Sequence, residues 1–108
     1  MGRSGFTTIS GSGGYSDGRG NGANFNFNGQ PSQLTLEPSG SLLLADYNNA
    51  TVRRFVPSTQ TASTVVGLFG AYGIQPGPLP TPITYPRAAV PIPGGIAFVA
   101  NYGIFVVR

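Results

Sequence analysis

The sequence predicts an all-β fold, and three observations lead to it. Apolar residues between Leu34 and Val107 gather into short blocks separated by glycine, proline and asparagine, the punctuation of strands rather than helices. No segment keeps helical spacing over 11 or more residues. Residues 31–53 also recur, altered, as 86–108. Aligned without gaps at an offset of 55, the copies agree at Pro31/Pro86, Pro38/Pro93, Gly40/Gly95, Ala45/Ala100, Tyr47/Tyr102, Val52/Val107 and Arg53/Arg108, seven of 23 positions, with Asp46 facing Asn101. Such a repeat implies duplicated supersecondary units.

In chain order, Phe6 to Ser10 reads as a short β-branched and aromatic strand ended by Gly11, with Ser63 to Val66, ended by Gly67, as its counterpart. A Gly/Asn/Ser tract follows to Gln30, and its match, Leu68 to Tyr85, is proline-rich; Gly14-Tyr15 and Ala71-Tyr72 hold similar places in the two. Connections of this length in compact domains are functional or disordered, which makes both tracts candidate interaction surfaces. Gln33 to Glu37 alternates with period two and Pro38-Ser39-Gly40 makes a turn. Leu42 to Ala45 is continuously apolar and too short for a helix, so it predicts a strand buried on both faces, as does Ile96 to Ala100. Thr51 to Val56 and its copy Ile104 to Arg108 are further strands, and Ala62 to Val66 closes the first unit.

With the strands of a unit lettered a to d, the chain reads d-abcd-abc: eight strands, two units, out of phase. A double-faced b strand needs a neighbour on each side of its sheet, as in stacked β-propeller blades. Pro91 cannot donate to a ladder and belongs on an edge strand, which strand a of a blade is.

Composition narrows the function classes. Charged residues are 8%, the net charge is +3, and all six basic residues are arginine. They are scattered, unlike the dense basic face of nucleic-acid binders, so nucleic acid is not an expected partner. With no cysteine and no histidine the chain lacks disulfides and the usual zinc, copper and haem ligands, so no cofactor is expected. No apolar run reaches the ~18 residues of a membrane span. A polar, lysine-free chain points towards the outside of a cell.

These residues resemble the NHL-repeat β-propeller family. The resemblance lies in Gly13-Gly14-Tyr15-Ser16-Asp17-Gly18, Ala23 with Phe25, Pro31, Gly40, Ala45-Asp46, Asn49 and Val52-Arg53, then Pro86, Gly95, Ala100-Asn101 and Val107-Arg108. It implies a single two-blade segment over residues 1–108, with blade one at about 31–67 and blade two at about 86–108, the latter completed by the 6–10 strand of a neighbouring copy. Family propellers usually have about six blades, so three chains would make one ring; the remainder of a longer propeller would close it equally well. The expected function is a non-enzymatic structural or interaction module that assembles head to tail. A carbohydrate-binding, lectin-like propeller is the alternative, and a piece of a longer propeller binding protein or RNA is another.

The residues available for such roles are few. Tyr15, Asp17, Arg19, Phe25, Phe27, Tyr72 and Tyr85 lie in the long connections and are candidate ligand contacts, with a glycan as one class of partner. Asn49-Ala50-Thr51 is a glycosylation acceptor pattern and also a turn. Phe6, Thr8, Ile104 and Val106 are the candidate assembly strands. Arg53 and Arg108 occupy equivalent positions in strand c of this alignment, which suggests a framework role, with Asp46 as partner in one copy. The three carboxylates, Asp17, Glu37 and Asp46, have no histidine to work with, and catalysis is not expected.

Overall fold

The computed structural model describes residues 5, 10, 11, 13–27, 29 and 32–108. Among them every sheet ladder is antiparallel and the only helices are single 3-10 turns. The elements are β1 (Gly18–Arg19), β2 (Leu34–Leu36), β3 (Leu42–Asp46), β4 (Thr51–Val56), β5 (Thr61–Val66), β6 (Pro86–Ile92), β7 (Gly95–Ala100) and β8 (Gly103–Val107). Sheet 1 has the order β1-β5-β4-β3-β2 and sheet 2 the order β6-β7-β8. The four-strand and three-strand meanders expected from the repeat are therefore present. Of the strand expected at residues 6–10, residues 6–9, including Phe6 and Thr8, lie outside the described residues.

The expectation of two-sided burial holds for Leu42 to Ala45 but not for Ile96 to Ala100, where Ile96, Phe98 and Ala100 are buried on one face and Val99 on the other is 41% exposed. In β3, Leu43 points into a core shared with sheet 2, joined by Val52, Val66, Ile83, Ala89, Ile96, Phe98 and Ala100. Leu44 points the other way, into a second core with Ala23, Phe55 and Ala62, covered by Phe25 and Phe27. Alternate residues of one strand thus feed two cores, which a short continuous apolar run requires. Pro91 sits in β6, an edge strand of sheet 2, where its missing donor costs no ladder bond.

Each sheet has one face covered by the segment that precedes it. On sheet 1 this is the side of Leu44 and Phe55, under residues 23–27; on sheet 2 it is the side of Phe98 and Phe105, against Ile74 and Ile83. Matching these faces through the strand pairings aligns Leu34 with Ala89, Leu44 with Phe98 and Arg53 with Phe105. The ungapped offset therefore holds in the first strand of each unit and slips by one in the second and by three in the third. Two shorter hairpins are the cause. Asp46 and Thr51 flank a four-residue loop, whereas Ala100 and Gly103 flank only Asn101 and Tyr102. A slip of one residue turns a side chain to the opposite face. The equivalence of Arg53 with Arg108 is thus corrected: Arg108 follows the end of β8, and the place of Arg53 is taken by Phe105.

Four described non-glycine residues have positive φ: Ala50, Gln60, Tyr85 and Asn101. Gly67 shows why glycine serves at such a place. At φ +103 its missing Cβ would fall 2.3 Å from the Ala50 carbonyl oxygen, so the exit from β5 can pass under that loop only without a side chain. Replacing Leu43, fully buried between the sheets, with alanine is expected to destabilise the chain by about 2–5 kcal/mol. Leu34→Ala, on the outward part of β2, should change the stability of the single, unassembled chain by no more than about 0.5 kcal/mol. Urea unfolding of the two variants measures the contrast, and equal losses would show that Leu43 is not a core residue.

Candidate functional site

The Gly/Asn/Ser tract before β2 is fastened to sheet 1 at several points, and Arg53 makes the largest group of these bonds. Its guanidinium is fully buried in the middle of β4. Nη1 donates to Asp46 Oδ2 at 2.7 Å and to the Asn24 carbonyl at 2.9 Å; Nη2 donates to the Ser16 carbonyl at 2.7 Å and to Asp17 Oδ1 at 3.0 Å. Ser16 and Asn24 pair with each other across the tract, so one side chain ties both limbs of that loop to the sheet. Asp46, also fully buried, accepts from the Asn26 backbone N–H on Oδ1 and from Asn49 Nδ2 on Oδ2, each at 2.8 Å. Among the described residues, Arg53 Nε and Thr51 Oγ1 are buried without a partner.

Aromatic rings close the centre. Tyr15 and Phe25 lie 4.8 and 4.6 Å from the Arg53 guanidinium carbon. Phe69 stacks on Tyr15 at 4.7 Å, and Phe27 on Phe25 at 5.7 Å. The tyrosine hydroxyl is 2.7 Å from Thr64 Oγ1, which in turn donates to Asp17 at 3.0 Å. Four of the sequence-predicted contact residues, Tyr15, Asp17, Phe25 and Phe27, are thus brought together around an arginine of the framework, with Phe25 and Phe27 also facing a cavity at the β2 side of sheet 1. The fifth, Arg19, is exposed and donates from Nε to the Thr59 carbonyl. Tyr72 and Tyr85 stand elsewhere, both exposed, with Tyr85 stacked on Tyr47.

Asn49 requires a correction. It is 2% exposed, and its amide nitrogen donates to Asp46 Oδ2 and to the Gly14 carbonyl at 2.9 Å. The nitrogen that a glycan would use is enclosed in the folded chain, and the residue acts as a turn and network member. The carboxylates are likewise occupied: Asp17 and Asp46 hold Arg53, and Glu37 holds Arg54 through a bidentate pair at 2.6 and 2.8 Å. That bond keeps the Arg54 guanidinium above its ordinary pKa, with burial opposing. Sequence alone puts Asp17 and Asp46 29 residues apart and gives no sign that they share one partner.

The second candidate site is the pair of surfaces that the two sheets leave open. On the far face of sheet 2, the pairings place Ala88, Val99 and Ile104 in one row and Val90, Ala97 and Val106 in the next. All six are apolar, and Ile104 is 77% exposed. A sheet with one solvated face normally carries polar residues there. β8 has a ladder partner on one side only among the described residues, so its other edge is open. A groove of about 430 Å³ runs beside β8, walled by Ile74, Leu79, Ile83, Phe98 and Phe105. At the opposite end of the stack, Leu34 and Leu36 are 63% and 65% exposed. There a cavity of about 340 Å³ opens between Phe25, Phe27, Leu34, Leu42, Leu44 and Phe55. Sequence reasoning singled out Ile104 and Val106 but missed Leu34, Leu36, Val90 and Val99. Period-two alternation in β6 to β8 could have found the valines, because both phases of it are apolar.

No model of a known family, no curated protein and no solved structure matches the chain. What the surfaces and the arginine centre can do therefore follows from their geometry.

Removing either partner of the buried pair, by Asp46→Ala or Arg53→Met, should cost about 3–5 kcal/mol because the remaining charge loses its main partner in a dry site. The double variant should lose clearly less than the sum of the two. Denaturant unfolding of the four proteins gives the coupling, and strict additivity would show that the two residues do not interact.

Proposed function

We propose that the chain is a non-enzymatic assembly module whose copies join head to tail. The outer face of sheet 2 in one copy packs against the β2 side of sheet 1 in the next. Each sheet is read as one propeller-like blade. The 6–10 strand of the neighbour is read as the fourth strand of sheet 2, laid along the open edge of β8. Following the NHL-type resemblance, three chains would supply six blades.

The observation that carries this reading is a mismatch between equivalent residues. Ala89 and Pro91 of β6 lie on the side of sheet 2 turned to sheet 1, and Ala89 is buried there, whereas their counterparts Leu34 and Leu36 in β2 are exposed. Larger apolar side chains thus occupy the uncovered copy of a position that is covered inside the chain. The internal packing of sheet 2 on sheet 1 is a template for the joint between copies. Such a joint is heterologous, and it closes into a ring if the rotation per sheet permits.

Magnitudes set the expected strength. Full burial of a valine, leucine or isoleucine side chain is worth about 1.5–3 kcal/mol. Covering Leu34, Leu36, Val90, Val99, Ile104 and Val106 from their present exposures would then supply about 5–10 kcal/mol. Association costs about 4–15 kcal/mol, so the assembly should form and dissociate with concentration.

Light scattering after size exclusion on a dilution series should give a species of three chain masses that falls to one chain on dilution. Val99→Glu and Leu34→Glu should each abolish the large species while keeping the β-sheet circular dichroism. An equimolar mixture of the two should form a complex of one chain of each, because each variant retains one intact end. A wild-type chain that stays monomeric at all concentrations and melts cooperatively would overturn the proposal.

A further inference from the structure

Between the two sheets, at the start of β6, stands an aromatic pair that neither the cores nor the end surfaces use. Tyr47, in the 3-10 turn after β3, and Tyr85, immediately before β6, stack at 5.3 Å with their planes 23° apart. The Arg87 guanidinium lies 5.1 Å from the centre of the Tyr47 ring. The turn is held from behind: the Asn48 backbone N–H donates to the Asn26 carbonyl, and Asn48 Nδ2 to Asn26 Oδ1. Tyr85 is 47% exposed although Tyr47 covers part of one ring face, so its open surface includes ring area rather than backbone alone.

The backbone at Tyr85 is the unusual feature. Its φ is +54°, and the next residue is the buried Pro86, which further restricts it. Twelve of the 16 described residues with positive φ are glycine. If the chain needed only a turn here, glycine would make it without strain. A large aromatic residue kept in a strained, exposed position is the pattern of a recognition group.

We infer that the Tyr47–Tyr85 stack is a saccharide subsite in which a pyranose ring lies on Tyr85 and its oxygens accept hydrogen bonds from Arg87. The chemistry favours a sugar over the other flat or apolar ligands. Phe69 also exposes a stacked ring, but the cation beside its partner Tyr15 is Arg53, which is fully buried and bound to two carboxylates and so has no donor to offer a ligand. Single-stranded nucleic acid needs cations that track its phosphates, and the other described arginines without a carboxylate partner, Arg19 and Arg108, lie on β1 and beyond β8. A sugar needs one ring face and a few donors, which this site has. The subsite does not depend on assembly, since Tyr47, Tyr85 and Arg87 belong to one chain.

The test is isothermal calorimetry of the full chain with maltohexaose as the neutral probe and an oligogalacturonate of equal length as the acidic one, with particle mass followed in parallel. At least one probe should bind. Tyr85→Gly, which relieves the strained backbone and so should fold, is expected to weaken binding about tenfold or more, the loss of one stacked ring. Tyr85→Phe should keep it, and Arg87→Gln should weaken the acidic probe more than the neutral one. Binding of neither probe would overturn the inference, as would binding unchanged in Tyr85→Gly. A Tyr85→Gly chain that changes mass but not affinity would also overturn it, by making the ring a contact between copies.

Discussion

The Asp46–Arg53 pair is the contact on which sheet 1 depends. Its two residues sit on neighbouring strands and would be a poor stabiliser alone, because desolvating two charges costs roughly what their attraction returns. What changes the balance is that the guanidinium also binds two backbone carbonyls and a second carboxylate while lying between two aromatic rings. A glycine- and asparagine-rich segment with little apolar surface of its own is thereby ordered as the cover of a sheet. Phe25 and Phe27 reach the second core because the arginine holds the loop that carries them.

Sheet 2 reaches the same end by other means. At the positions of Asp46 and Arg53 it has Ala100 and Phe105, and Phe105 packs on Phe98 at 5.6 Å. The asparagine of the longer loop has no counterpart, since the hairpin is two residues shorter. The cover changes with the centre: the proline-rich segment contributes Ile74 and Ile83 to an apolar core instead of carbonyls to a cation. Tyr72, which holds the place of Tyr15 in that segment, has no arginine against its ring among the described residues and is exposed. A duplicated position has thus been filled once with charge and once with hydrocarbon.

This divergence explains which parts of the structure were legible in the sequence. Strand existence, the two-sided burial of Leu42 to Ala45 and the edge position of Pro91 follow from alternation, run length and the missing proline donor, all local properties. The pairing of Arg53 with Asp46 was also within reach, seven residues apart across one hairpin. The register between the copies was not, because it depends on two loop lengths, and identical residues such as Arg53 and Arg108 can align by letter while lying at different points of the ladder. Asn49 misleads for a similar reason: the tripeptide is defined by sequence, whereas access to its nitrogen is decided by Gly14, 35 residues away. The open surfaces were half legible, because a valine in a strand carries no mark of which neighbour, if any, will cover it.

The two residues of β1 have an effect out of proportion to their length. By pairing with Ala62 and Thr61 they occupy part of the outer edge of β5, with Gly20 N–H adding a bond to the Gln60 carbonyl. β8, the last strand of the other sheet, has no such cover among the described residues. Edge protection therefore differs between the last strands of the two sheets, and it gives the molecule a polarity: among the described residues a foreign strand meets a partly blocked ladder at β5 and an open one at β8. Symmetric edge-to-edge pairing through β5 is disfavoured by the same two residues, so of the last strands of the two sheets β8 is the one along which backbone bonding can extend.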